Sequence, residues 1–480
     1  MTTSDQLYRR TLSADCVTPP AVFARLTHRG DCFLFESAEG GERWGRYSIL
    51  GISPACRAME QNGKTTLHHR DGTSEIHEKG MLDWLRGQVI DQEYLPVDDL
   101  PFAGGAVGYF GYQWVSNFEN IPADLPDPVG APDSAFLLVD RFMVFDNLRG
   151  TLTCCVRMPK GKDAEADEVL DRMQASLNEG EPAGAMRLDA DLSEIDMPKA
   201  QMAQADYEAA VECAREYIYA GDIFQVVLSQ RFGKKLACDM FDIYRAVRHI
   251  NPSPYLFYLH IGDTALIGSS PEILVRREEG RAVVRPIAGT RPRGATPEED
   301  QVLVKELLAD AKERAEHIML VDLGRNDLGR VCKYGSVEVT DLMVVERYSH
   351  VMHIVSQVEG ELRDDVDAVD LLAATFPAGT VSGAPKVRAM EIIHELEPLA
   401  RGPYAGTVGH IGFGGQRMDT AIAIRTAVVH GGEVFVQAGA GIVADSVPSR
   451  EFAECVNKAQ AMFRAVALAE AQQNKEGEKA

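Results

Sequence analysis

The sequence predicts an α+β fold, and three observations predict it. The first third is a series of short apolar runs broken by turn residues. The remainder mixes strand-like runs with segments of helical period. The two kinds do not alternate regularly, as a doubly wound chain would require. At 480 residues the chain exceeds the roughly 100–200 residues of one domain, so more than one cored unit is expected.

The elements follow in order. Cys32-Phe33-Leu34-Phe35 and Ala135-Phe136-Leu137-Leu138-Val139 read as short antiparallel strands, with Glu39-Gly40-Gly41 as a turn between such runs. Residues 12–160 form this N-terminal, sheet-rich domain. Residues 162–181 are charged and alanine-bearing, and an acidic stretch poor in large apolar residues follows. Residues 161–203 are therefore a surface helix and linker. A second domain occupies 204–465. Its helical period over 206–220 ends at Gly221, a glycine placed to close a helix. Strand-like runs stand at 224–228, 255–259 and 282–284. Thr296-Pro297-Glu298-Glu299 is a helix start, with threonine as cap, proline at the first helical position and glutamate at the third. Helical period continues through 312–322. Residues 433–437 read as a strand, 438–447 as a glycine-bearing loop, and 449–469 as a long helix running into a polar tail over 466–480.

Composition excludes several functions. With 49 basic against 72 acidic side chains the net charge is −23, which repels nucleic acid and anionic membrane alike. An anionic ligand must then be held by local devices: a metal, an arginine or backbone N–H groups. No apolar run approaches the roughly 20 residues that span a bilayer. The opening residues show no secretory signal, and nine unpatterned cysteines predict reduced thiols in a cytoplasm.

Four features carry chemistry. Glu313 and Glu316 are three apart in a helical pattern and share a face, as do Glu451 and Glu454, with Lys458 one turn on. Two such pairs, if they converge, suit a hard divalent cation such as magnesium; such pairs are also routine on solvated helix faces, so spacing alone does not assign them. Gln437-Ala438-Gly439-Ala440-Gly441-Ile442 offers close backbone approach and N–H groups for an anion, or a plain turn. It is neither a Walker loop nor a dinucleotide fingerprint. His350 and His353 lack a helical zincin setting and a third ligand, leaving proton transfer or a satisfied core position. Pro286-Ile287-Ala288-Gly289-Thr290-Arg291-Pro292-Arg293-Gly294 is a basic loop with glycine in it. No serine-hydrolase elbow, zincin motif, paired-cysteine motif or glutamine-hydrolysing cysteine setting is present.

Taken in order, these fragments resemble the chorismate-binding enzyme family over essentially the whole chain. The resemblance is carried by Gly221-Asp222-Ile223-Phe224-Gln225, Asn251-Pro252-Ser253-Pro254-Tyr255, Gly268-Ser269-Ser270-Pro271-Glu272 and the 286–294 run. It continues in Glu316-His317-Ile318-Met319-Leu320-Val321-Asp322-Leu323-Gly324-Arg325-Asn326-Asp327, Thr380-Val381-Ser382-Gly383-Ala384-Pro385-Lys386, and the 437–443 and 451–458 runs.

The resemblance implies two intertwined sheet-based lobes with surrounding helices and an active-site cleft. It implies Mg²⁺ held by Glu316 and Glu454, supported by Glu313 and Glu451. Chorismate contacts are implied at Gly289, Thr290, Tyr404, Arg425, Gly439, Ala440, Gly441 and Lys458. Glu272 matches the general acid and His353 the active-site histidine, and Thr290 is implied as a further catalytic residue. The implied reaction is attack of ammonia at ring C2 with loss of the C4 hydroxyl, then elimination of pyruvate to give anthranilate, on the route to tryptophan. Relatives that activate water carry lysine where Gln225 stands, and relatives forming 4-amino-4-deoxychorismate often carry a nucleophilic lysine where Ala288 stands. The first favours ammonia over water as nucleophile, and the second favours addition at C2 without a covalent adduct. Together they select anthranilate chemistry; the alternative within the class is an aminodeoxychorismate or aminodeoxyisochorismate synthase. Outside the class, the alternative is a non-catalytic tryptophan-sensing scaffold. Glu36-Ser37-Ala38 with Pro254-Tyr255-Leu256 resembles a tryptophan site for feedback inhibition, which makes residues 12–160 regulatory. Ammonia is expected from a separate glutamine amidotransferase subunit in a hetero-oligomer.

Overall fold

Strand-forming runs of the first third do not build a sheet of their own. The structure is a computed structural model describing residues 4–27, 30–37, 45–180, 183–193, 195–348 and 351–477. Ala38, the Glu39-Gly40-Gly41 turn and His350 lie outside the described residues.

Among the described residues two large sheets form, of eleven and twelve strands, and strands from both ends of the chain enter each. In the first sheet Cys32–Glu36 pairs antiparallel with Tyr255–Ile261, in the register Leu256 to Glu36 and His260 to Cys32. In the second, Gly105–Phe110 pairs antiparallel with Thr407–Gly412, Thr407 facing Phe110. The two lobes are therefore intertwined, and the division near residue 200 is a boundary in the chain, not between sheets. The α+β class with two interlocked sheet-based lobes is what the structure has.

Side-chain alternation explains why the sheets stack. Along Tyr255–Ile261, Phe257, Leu259 and Ile261 join an apolar layer with Phe33, Val107, Tyr109, Leu137 and Val408, drawn from both sheets. Leu256 and Tyr258 point the other way, onto Phe241, Tyr244, Met462 and Phe463 of the outer helices Met240–Ile250 and Pro448–Gly477. Gly105–Phe110 does the same in the second sheet: Val107 and Tyr109 face inward, while Ala106 and Phe110 join an outer cluster with Trp84, Val369 and Ile393. A period of two with both faces buried gives four layers: helix, sheet, sheet, helix.

The helix signals are met. Gln204–Ala220 closes on Gly221 in the left-handed region, at φ 85°. Pro297–Ala309 starts from Thr296, whose hydroxyl accepts from the Glu299 N–H at 3.2 Å. The Glu299 carboxylate reaches back one residue further than a capping box, to the Ala295 N–H at 2.7 Å. Two boundaries differ from expectation. The last helix runs Pro448–Gly477, and Val466, Leu468 and Ala469 are fully buried, so residues from 466 on begin as core and not as tail. The glycine-bearing segment is a loop only over 443–447: Glu433–Ile442 is one strand whose second half holds Gly439, Ala440 and Gly441.

No helix of the described residues is long and apolar enough to cross a membrane. All nine cysteines are free.

Candidate active site

The chain passes between the two sheets at adjacent points, and each crossing carries an ionisable residue. Thr264–Ser270 belongs to the first sheet and Ile273–Glu278 to the second, so Pro271 and Glu272 are the outgoing junction. Arg417–Ile422 and Thr426–His430 make the return, with Arg425 at its end. Backbone bonds tie the junctions together: Ile422 N–H donates to the Glu272 carbonyl at 3.0 Å, and Ser269 N–H to the Arg425 carbonyl at 3.1 Å. Arg425 adopts φ 48°, a conformation a long side chain rarely takes. Strain of this kind persists only where surroundings over-determine it.

Glu272 is 8 % exposed. Burial pushes its carboxyl up to about 8, against the opposing pull of a Thr380 hydroxyl bond and the Arg425 charge. Thr380 Oγ1 donates to Glu272 Oε1 at 3.1 Å. A carboxyl group that is still largely protonated at neutral pH can give a proton to a leaving group.

The glycine strand runs beside this acid. The turn Gly379–Val381, which holds Thr380, packs against Glu433–Ile442, Gln225–Lys235 and the helix Ala311–Gly329. Val227 N–H donates to the Ser382 carbonyl at 2.9 Å, and Ser229 N–H to Glu397 Oε1 at 2.8 Å. Their register partners, Gly441 and Gly439, are thus in non-hydrogen-bonded pairs, and the N–H groups of both glycines point away from the Gln225–Lys235 strand. The neighbour on that far side, Thr426–His430, pairs only as far as Val436. Two backbone donors are therefore available to an anion.

Glycine is required there. A Cβ on Gly439 would stand 2.7 Å from Tyr404 Oη and 2.9 Å from Val227 Cγ1. Gly439→Ala is expected to destabilise the fold by about 1–3 kcal/mol through overpacking, measured as a lower midpoint in urea with an unchanged slope. A wild-type midpoint would show that Tyr404 is not held against the strand.

The acidic pairs sit where two helices approach this strand. Glu313 and Glu316 share a face of Ala311–Gly329, which starts from Asp310. Glu451, Glu454 and Lys458 share a face of Pro448–Gly477. Burial and then the Glu313 charge raise the Glu316 carboxyl, with Gln225 drawing it back and Glu454 adding to the rise. Burial raises Glu451, and Glu454 again contributes. The four carboxylates form one like-charged neighbourhood, and a cation would relieve it.

They are not a preformed cage, however. Among the described residues no three histidine, cysteine, aspartate or glutamate side chains stand close enough to hold a metal ion. Glu313 is engaged by Arg291 at 3.0 Å and Glu454 by Lys458 at 2.7 Å. Lys458 Nζ also donates to the Gly439 carbonyl at 2.9 Å, so its ammonium bridges acidic helix and glycine strand. The Lys458–Glu454 pair is half exposed, and pairs of that kind are weak enough to open. The oxygen-only donor set fits a hard divalent ion once it does.

Gly289 and Thr290 lie at a bulge in Ile287–Pro292, Gly289 at φ 71°. A Cβ on Gly289 would stand 3.2 Å from Glu313 Oε2, which places this strand on the first acidic helix. Thr290 faces His353 across the ladder, with Thr290 Oγ1 and His353 Nδ1 3.0 Å apart.

Ser37, Pro254, Tyr255 and Leu256 come together elsewhere, around a cavity of about 980 Å³ between the two sheets. Tyr255 Oη donates to Asp419 at 2.9 Å, and Arg276 binds the same carboxylate at 2.8 Å. This cavity is not detached from the acid. Tyr255 lies opposite Ser270, two residues before Glu272, and Ser253 Oγ donates to the Ser270 carbonyl at 2.9 Å.

Sequence reasoning missed Thr380, Glu397 and Arg401. Thr380 stands inside a motif quoted above, but nothing in its spacing ties it to Glu272, 108 residues away. Glu397 and Arg401 look in sequence like an ordinary helix-surface pair.

Residues 30–464 match the family described as chorismate binding enzyme. The chain is 48% identical over 472 residues to anthranilate synthase component 1 of Aquifex aeolicus, covering 96% of this chain and 94% of that one. It is 46% identical over 462 residues to anthranilate synthase component 1 of Acetivibrio thermocellus, covering 94% and 93%. Among solved structures it is similar to anthranilate synthase component I from Streptococcus pneumoniae TIGR4. That likeness has a TM-score of 0.79 and 38% identity, over 94% of this chain and 98% of that chain.

Proposed function

The chain belongs to the chorismate-binding enzyme family, and from that premise we propose that it is the chorismate-aminating component of an anthranilate synthase. The observation that carries the reading is the buried acid Glu272, held at a sheet crossing beside Arg425 and within reach of the glycine strand through the Thr380 turn.

Chorismate is a dianion, and the chain around it carries net charge −23. Arg425 and the N–H groups of Gly439 and Gly441 supply local positive potential, and Tyr404 closes the strand on its inner side. Ammonia adds at C2 while both ring double bonds shift and the C4 hydroxyl departs. Hydroxide is a poor leaving group, so Glu272 gives it a proton and water leaves. Loss of the C2 proton with cleavage of the enolpyruvyl C–O bond then aromatises the ring and releases pyruvate. His353, aligned by Thr290, is assigned to proton transfer in these steps. Glu316 and Glu454 would hold Mg²⁺, with Glu313 and Glu451 supporting, and the ion would neutralise the ring carboxylate when bound. Ala288 and Gln225 stand where lysines serve other members of the family, which favours ammonia at C2. Ammonia would come from a separate glutamine amidotransferase subunit in a cytoplasmic hetero-oligomer.

The test is product analysis. Chorismate, Mg²⁺ and an ammonium salt at alkaline pH should give a fluorescent aromatic amine and one equivalent of pyruvate. Accumulation of a non-aromatic amino intermediate, or no turnover, would overturn the reading.

The 980 Å³ cavity suits a regulatory ligand that bridges both sheets. We assign it to tryptophan, with Ser37, Pro254, Tyr255 and Leu256 as contacts and residues 12–160 as the regulatory portion. The ladder from Tyr255 through Ser270 to Glu272 supplies a physical link to the acid. Ser37→Ala is expected to raise the tryptophan concentration for half-inhibition at least tenfold and to leave the ammonia-dependent rate within twofold, read from inhibition curves, a loss of about 1.4 kcal/mol in effector binding. Unchanged inhibition would retire the site.

A further inference from the structure

Among the described residues the largest fully buried side chain is Arg401. Its guanidinium forks onto Glu397, Nε to Oε2 at 2.8 Å and Nη2 to Oε1 at 2.7 Å. Nη1 donates to the Val381 carbonyl at 2.7 Å and Nη2 to the Val227 carbonyl at 2.7 Å. The guanidinium carbon lies over the rings of Tyr112 and Tyr404, 4.7 and 5.6 Å from their centroids. Glu397 Oε1 accepts both the N–H and the hydroxyl of Ser229, each at 2.8 Å.

These partners share a place in the fold. Gly383–Ala384 pairs with Gln225–Lys235 only at Gln225 and Val226. Between Val227 and Gln230 that buried edge has no strand beside it among the described residues, and the isolated bridge of Ala200 to Phe232 takes it up again beyond. The Glu397–Arg401 pair fills the gap, taking the Val227 carbonyl and the Ser229 N–H that a neighbouring strand would have taken. It thereby grips three parts of the site at once. It holds Val381, next to Thr380. It holds the strand segment whose register partners are Gly439 and Gly441. It holds Tyr404.

We propose that Glu397 and Arg401 are positioning residues for the reaction, fixing the Thr380 turn, the glycine strand and Tyr404 in one register around Glu272. The assignment rests on the chorismate-aminating reading above. Stability alone does not call for such a pair, since well-packed apolar side chains of similar volume often replace a buried ion pair without loss. What they cannot replace is a planar fork whose donors reach three partners at once.

The test compares Glu397→Leu/Arg401→Met with Thr380→Val in the full chain, at saturating free ammonia. Glu272 faces the Thr380 hydroxyl and the Arg425 guanidinium, and the Thr380 bond favours its ionised form. Removing that bond moves the high-pH limb of kcat upward. If the pair positions the turn, the apolar double variant folds, loses at least tenfold in kcat, and shifts the limb upward as Thr380→Val does. Combining all three substitutions then adds no further shift. Arg401→Lys reads the same limb should the double variant not fold. An unmoved limb in a folded pair variant overturns the proposal whatever happens to the rate, and so does an unmoved limb in Thr380→Val. Wild-type protein with no turnover of chorismate would instead sink the functional reading, so the two failures are distinguishable.

Discussion

Glu272→Gln is expected to lower kcat by roughly 10²–10⁴-fold, the usual contribution of a positioned proton donor, with chorismate KM changed little. The amide keeps the shape and the bond from Thr380 Oγ1 but has no proton to release. The pH profile separates this role from simple binding. A proton-donating role makes the protonated carboxyl the active form, so kcat should fall as pH rises through about 8. The variant should lose that limb along with the rate. Steady-state kinetics at saturating free ammonia measures both. A Gln variant that retains more than a tenth of wild-type kcat would remove Glu272 as the acid.

That elevated proton affinity was not legible in the sequence. Its cause is burial, and the burial comes from two crossings between sheets that lie about 150 residues apart in the chain, at Glu272 and Arg425. The resemblance pointed to both residues, but only the pairing of Ile422 with Glu272 and Ser269 with Arg425 shows why they meet. Local signals did well where the physics is local. Gly221, Thr296 and the periodicity of the helices were readable because caps and helical faces are set by neighbours within a turn. The sheet order was not, because Glu36 finds Leu256 and Phe110 finds Thr407 through non-local pairing. Glycine misled at Gly439-Ala440-Gly441. There it relieves crowding against Tyr404 and Val227 within a strand, whereas in sequence it reads as a break. The last helix extended past 469 for a similar reason: Val466, Leu468 and Ala469 find a core that the polar residues after them conceal.

The carboxylate neighbourhood makes a prediction whose two arms have opposite signs. Glu316 is raised by burial and by its acidic neighbours, so its ionised form opposes folding. The sign follows from linkage: a carboxyl that binds protons more tightly folded than unfolded contributes stability that fades as pH rises through its two proton affinities. At pH 8 the metal-free protein therefore carries an unfavourable charge. Glu316→Gln removes it and should raise the Tm measured in chelator. In wild type, added Mg²⁺ should raise Tm progressively, because a ligand that binds only the folded state stabilises it by mass action. In Glu316→Gln and in Glu454→Gln that rise should be lost or need at least tenfold more Mg²⁺, a change of about 1.4 kcal/mol, and ammonia-dependent turnover should fall with it. Chelator should abolish wild-type activity, and Mg²⁺ should restore it. Thermal melts with and without metal check the physical half without any assay of turnover. If Glu316→Gln lowers the metal-free Tm, repulsion among these carboxylates is not what the two helices store. If its Mg²⁺ response matches wild type, the ion is held elsewhere, and the face shared by Glu313 and Glu316 is solvated surface.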